Sequence, residues 1–231
     1  MSFPGFAHLF EVYDPIAERR YRGEFRAHEK GAALSRAESQ EDSSAVRVQW
    51  AMGSAQPGDV IWTTSAHPLI VHERLIELFR ENHLTGWSTY AVEVYAKSGE
   101  RVDGYHGLAI TGRCGPVDLQ ASSIELVEYP GGWYPHFRGH FFVPDTWDGS
   151  DWFMHQPDAE DNASMVRMIS ERAHAVLLEA RLANLGTRRL TEVSVGANVY
   201  SIGLQHMLPS DFRQRVDDAY RNSGVSRPAS V

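Results

Sequence analysis

The chain has one cysteine, Cys114, within the string Gly112-Arg113-Cys114-Gly115-Pro116. A neighbouring guanidinium lowers a thiol's pKa and favours the nucleophilic thiolate. His106, eight residues earlier, is the candidate base for such a nucleophile. No carboxylate is spaced to orient that histidine, so the alternative is a glycine-rich turn whose small side chain packs inward. His136 and His140, in Pro135-His136-Phe137-Arg138-Gly139-His140, stand four apart, as two metal ligands on a helix would. Pro135 and Gly139 oppose a helix, and in a strand both rings would share one face. Asp145 is close, but no carboxylate inside the run completes a familiar metal set. The string Trp147-Asp148-Gly149-Ser150-Asp151-Trp152 reads either as a turn at the entry to a folded unit or as an acidic, aromatic grip for a basic partner. Asp158, Glu160 and Asp161 extend the same negative surface. The glycines at 104, 107, 112 and 115 match no phosphate or dinucleotide loop, and no Gly-x-Ser-x-Gly elbow is present. No cofactor is expected.

Two stretches of similar pattern hold these residues apart. Residues 59–64 form a short run rich in β-branched and aromatic side chains, and His67-Pro68 offers a helix start. Val71, Leu75, Leu78 and Phe79 then lay an apolar stripe along a helix closed by Asn82 and Gly86, and residues 89–95 return as a strand. The stripe recurs at Ile169, Ala173, Val176 and Leu177, a constant offset of 98. At that offset Glu73-Arg74 matches Glu171-Arg172, Leu84 matches Leu182, and Thr89 matches Thr187. The pattern predicts two equivalent strand–helix–strand units, at 55–97 and 147–195. An insertion near 157–162 interrupts the second. Around them residues 6–13, 46–50, 105–111, 124–129 and 133–143 read as strands, and 199–204 as a further one. Residues 28–44 read as an exposed loop or short surface helix. A last helix is expected over 211–221 behind Ser210, with a frayed tail at 224–231. The expected fold is mixed α/β, one domain over residues 1–231, with the two units around a mixed sheet.

The 231 residues suffice for one sizeable core, with 42% apolar and 11% aromatic residues. A single cysteine excludes a disulfide framework and any cysteine-rich metal site. The formal charge of −8 argues against nucleic acid, which requires a basic surface, and is compatible with a basic protein partner. No apolar run approaches a membrane span, and the opening residues lack the basic start and apolar run of a signal peptide. A cytoplasmic protein is expected.

Two strings carry a resemblance. They are Tyr105-His106-Gly107-Leu108-Ala109 with Gly112-Arg113-Cys114-Gly115-Pro116, and Phe141-Phe142-Val143-Pro144-Asp145-Thr146-Trp147-Asp148-Gly149-Ser150-Asp151. With Asp59-Val60-Ile61-Trp62 and Leu84-Thr85-Gly86-Trp87 they resemble a bacterial family common in myxobacteria, over roughly residues 55–195. That family is similar to immunity proteins of polymorphic toxin systems, including those with a double-CxxC motif. This chain departs from the double-CxxC members, because Cys114 alone cannot hold their metal. The resemblance implies a non-catalytic protein that binds and neutralises a cognate, basic toxin domain. Trp147, Asp148, Asp151, Trp152, Asp158, Glu160 and Asp161 are the expected contact. The alternative is a small enzyme using Cys114 with His106, or the His136/His140 pair.

Overall fold

The computed structural model describes residues 3–15, 20–25, 28–38, 46–64, 68–157, 164–200 and 205–227. The fold is mixed α/β, and the chain runs through it twice. The first pass comprises β1 (Leu9–Tyr13), β2 (Arg22–Glu24), α1 (His28–Ser35), β3 (Val46–Met52), β4 (Val60–Thr63), β5 (Leu69–His72), α2 (Glu73–Glu81), β6 (Trp87–Tyr95) and β7 (Arg101–Val102). The second comprises β8 (Tyr105–Ile110), β9 (Gly112–Cys114), β10 (Ser123–Tyr129), β11 (Gly132–Arg138), β12 (Trp152–His155), β13 (Arg167–Ser170), α3 (Glu171–Ala180), β14 (Gly186–Arg189) and β15 (Ser194–Gly196). A terminal helix, α4 (Phe212–Ser223), follows.

Each predicted unit contains one strand more than expected. Leu69, Ile70 and Val71 are fully buried in β5, which pairs antiparallel with β4 through Val60↔Val71 and Trp62↔Leu69. The helix therefore starts at Glu73 and not at Pro68, with His72 as its N-cap accepting from the Arg74 N–H at 3.2 Å. Val71 fits the helical stripe only because a strand buried on both faces also reads as a continuous apolar run. The second unit repeats this: Ile169 lies in β13, and the Ser170 hydroxyl caps α3 by accepting from the Ala173 N–H at 3.2 Å. Both helices open on a glutamate, the charge that a helix N-terminus favours. Residues 28–35, read as a loop or short surface helix, form α1, and its Leu34 is buried. Ala197–Tyr200 is a short 3₁₀ turn, and the rest of the expected strand at 199–204 lies outside the described residues.

The equivalence extends to hydrogen-bond register. β8 lies between β5 and β6, with Leu108 opposite Leu69 on one side and Thr89 on the other. β1 lies between β13 and β14, with Val12 opposite Arg167 and Thr187. β2 runs parallel to β4 with Arg22 opposite Trp62, and β9 runs parallel to β12 with Arg113 opposite Met154. The order β2-β4-β5-β8-β6 in one sheet is thus the order β9-β12-β13-β1-β14 in the other. β1 opens the first pass but sits in the second pass's sheet, and β8 does the converse. The two halves thus share one strand arrangement, and the first strand of each lies in the other's sheet.

The helix exits match as well. His83 and Arg181 have φ of 50° and 49°, and Gly86 and Asn184 have φ of 84° and 66°, each pair 98 residues apart. Glycine is required at 86, where an added Cβ would lie 2.0 Å from the Trp152 carbonyl oxygen. Two arginines then tie the halves together. Arg74 donates to the Ala180 carbonyl at 3.0 Å, at the C-terminus of α3. Arg172 donates to the Asn82 and His83 carbonyls at 3.3 and 3.1 Å, at the C-terminus of α2. Each guanidinium thus satisfies carbonyls that the other helix leaves without an internal partner.

Alternate residues of β4 and β5 serve two cores. Val60, Trp62, Leu69 and Val71 join Leu75, Ile76 and Phe79 of α2 with Trp152, Ile169, Ala173 and Leu177 from the second half. Ile61 and Ile70 point the other way, toward Tyr21, Phe25, Leu34, Val48 and Val94. That second core fills a six-stranded barrel, β3-β2-β4-β5-β8-β6, closed by the parallel pairing of β3 with β6. The second half does not close this way. Between β9 and β12 it carries a hairpin, β10–β11, which joins β15 in a separate three-stranded sheet backed by α4. Among the described residues no helix is long and apolar enough to cross a membrane.

Candidate partner-binding surface

Of the groups singled out for chemistry, Cys114 and His140 lie inside the protein, and His106 is half-buried. Cys114 is fully buried, and the histidine that meets it is His155, with Nδ1 3.5 Å from Sγ. His106 is not that base, because β8 belongs to the first half's sheet whereas β9 lies beside β12 in the second's. Burial pushes the thiol well above its ordinary range, Asp148 adds to the shift, and Arg113 only partly opposes it. That balance favours the neutral thiol. His155 places Nδ1 2.6 Å from the Gly115 carbonyl oxygen, so that nitrogen carries the proton and donates. Its Nε2 lies 2.7 Å from Nε2 of His140, so a single proton joins the two rings and His140 supplies it. Burial lowers His155 to about 4, against the opposing effect of its bond to Gly115. Burial also holds His140 well below the ordinary value, with His155 and Arg188 adding to the effect.

His136 and His140 do not form a pair. β11 ends at Arg138, and Gly139, at φ 92°, turns the chain so that His140 enters the Cys114–His155 cluster. His136 stays on the three-stranded sheet, 3.0 Å from the Ser194 hydroxyl. Among the described residues no three His, Cys, Asp or Glu side chains are grouped to hold a metal ion.

The acidic, aromatic loop divides between interior and surface. Trp152 is fully buried and Asp151 nearly so, which removes both from any contact surface. The Asp151 carboxylate accepts from the Thr85 N–H at 2.8 Å, the Thr85 and Ser170 hydroxyls at 3.0 and 2.8 Å, and Arg172 Nε at 3.0 Å. Burial opposes its charge, but Arg172, Thr85 and Ser170 outweigh that and lower its pKa. This is a junction between the halves, formed where the sequence suggested a grip. Asp148 is exposed yet employed: its carboxylate accepts from the Arg113 N–H at 2.7 Å and its own N–H donates to the Arg113 carbonyl at 3.0 Å. Those two bonds cover the outer side of β9 as a neighbouring strand would. Trp147 is half-buried, tilted on Phe153 at 5.3 Å and edge-on to Phe3 at 6.2 Å. Val143 and Asp145 beside it are exposed. Asp158, Glu160 and Asp161 lie outside the described residues.

The broadest aromatic face lies on the sheet that the arrangement shared by the two halves does not include. β10 and β11 pair in continuous register from Ser123↔Arg138 to Tyr129↔Gly132. Alternation sends Ile124, Leu126, Pro135 and Phe137 to one face. There Phe137 stacks on Phe212 of α4 at 5.5 Å, and Ile124 joins the same cluster. The Tyr220 hydroxyl anchors α4 to the Trp133 carbonyl at 2.7 Å. The opposite face carries Val127, Tyr129, Tyr134 and His136. Tyr129 is 47% exposed, stacked on His136 at 5.5 Å and edge-on to Tyr134 at 6.2 Å. Glu125 and Arg138 pair at 2.8 Å along its margin. Sequence reasoning passed over Tyr129 and Tyr134; the available signal was the alternation in 124–129 around the Pro130-Gly131-Gly132 turn. Comparison of the chain with models of known protein families and with curated proteins finds no match.

Proposed function

We propose that the chain is an immunity-type protein that binds and neutralises a cognate, basic toxin domain without chemistry of its own. The observation that carries this reading is the face of Tyr129, Tyr134 and Val127, with the Glu125–Arg138 pair at its margin, borne on a sheet without a counterpart among the described strands of the other half. Additions to a repeated scaffold tend to form its binding face. Tyrosines supply large contact area at low entropic cost, and aromatic anchors dominate interface energies. The charge of −8 would speed capture of a basic partner. The resemblance noted in the sequence points the same way. Val143, Asp145, Trp147 and Asp148 are a second candidate contact. The test is to read the neighbouring genes and, where one encodes a large secreted protein, to co-produce its C-terminal domain with this chain; the lack of such a gene would count against the reading. Restored growth and a one-to-one complex are expected. Growth arrest in the presence of abundant, folded chain would overturn the reading.

A further inference from the structure

Sheet edges are the places where a fold invites another strand, and this fold closes most of its own. In the seven-stranded sheet β3 joins β6, and among the described residues the remaining edge is the two-residue β7. In the five-stranded sheet the edges are β14, with four residues, and β9, with three, its outer side taken by Asp148. In the three-stranded sheet β15 has three residues, whereas β10 has seven. Among the described residues no main-chain hydrogen bond reaches the outer side of β10. A regular edge of that length offers alternating donors and acceptors over roughly 23 Å.

We infer that β10 accepts an extended segment of the protein partner as an added strand, which lays alternate side chains on Val127, Tyr129 and Tyr134. Resting on the reading above, the occupant is a basic stretch of the toxin domain. Main-chain bonds give such an addition its affinity, and the side chains beneath it give selectivity. On β10 the Glu125 carboxylate is already paired with Arg138 at 2.8 Å, and Glu128 is exposed. A basic strand complements Glu128 and the net charge of −8. A second copy of β10 would instead bring another Glu128 onto the same short ladder, where like charges repel.

The experiment combines hydrogen exchange, binding and sedimentation, using the full chain and, as probe, the toxin domain that the co-production test identifies. In the free chain every second amide from Ser123 to Tyr129 should exchange fast, and in the complex those amides should become protected. Glu128→Lys with Tyr129→Lys, both at exposed positions, should weaken binding about tenfold or more and leave the thermal midpoint of the free chain unchanged. Complex formation with unaltered exchange along β10 overturns the added strand while the neutralising role stands. Failure of the unaltered chain to bind the domain overturns both. A free chain that sediments as a dimer with these amides already protected gives the edge to a second copy and overturns the proposal.

Discussion

His155 is the group through which acid reaches the core. Its ordinary imidazole value is 6.5, and in the folded protein burial lowers it to about 4. Between those values the unfolded chain holds a proton that the folded chain refuses, so stability is complete above pH 6.5 and falls as pH drops toward 4. The window is worth roughly 3 kcal/mol. Urea titrations at intervals from pH 7 to pH 4 should show that decline, and His155→Gln should make it shallower, with His140 keeping a share because burial holds it low as well. An equal decline in the variant would move the effect to other groups. The physical cause is burial: an imidazolium at His155 would lose its hydration inside the core, and its bond to the Gly115 carbonyl offsets only part of that loss. None of this was legible in the sequence. His155 is 41 residues from Cys114 and 15 from His140, and only the parallel pairing of β9 with β12 brings the first two together.

At the scale of elements, much of the architecture could be read beforehand. Glu73-Arg74 and Glu171-Arg172 do open equivalent helices, each after a four-residue strand. What could not be read is that β1 and β8 are also equivalent. Leu9-Phe10-Glu11-Val12-Tyr13 and Tyr105-His106-Gly107-Leu108-Ala109 share no residue, because each packs in a different sheet. The arginines beginning the helices should differ in weight despite their matching places. Arg172 neutralises a nearly buried carboxylate, that of Asp151, whereas Arg74 reaches the more open Asp59 at 3.7 Å. Arg172→Ala should therefore cost about 2 kcal/mol, and Arg74→Ala less than about 1 kcal/mol. Denaturant midpoints of the two variants check this, and equal losses would mean that the helix-end carbonyls matter more than the carboxylates.

For the molecule as a whole, exchanged strands and crossed arginines leave neither half complete without the other. Removing the second half strips β8 from between β5 and β6; removing the first takes β1 from between β13 and β14. Trp62 adds a further tie, donating from Nε1 to the Asn184 carbonyl at 2.7 Å, and Asn184 donates back to the Val60 carbonyl at 3.0 Å. Calorimetry should accordingly record one transition, with calorimetric and van't Hoff enthalpies in agreement. Two resolved transitions would show that the halves melt separately and that the exchange contributes little to their coupling.

Synthesis on the ribosome meets this arrangement in an awkward order. β1 emerges well ahead of its neighbours β13 and β14, which end at Ser170 and Arg189. At ordinary translation speeds it must wait roughly 10 to 35 s for them. The barrel of the first half can form once Ile110 has left the exit tunnel, because its inserted strand, β8, comes directly after it in the chain. β1 is thus made well before its neighbours and is among the last of these strands placed. Its Leu9, Phe10 and Val12, all buried at the end, spend that interval in water or in the care of a chaperone.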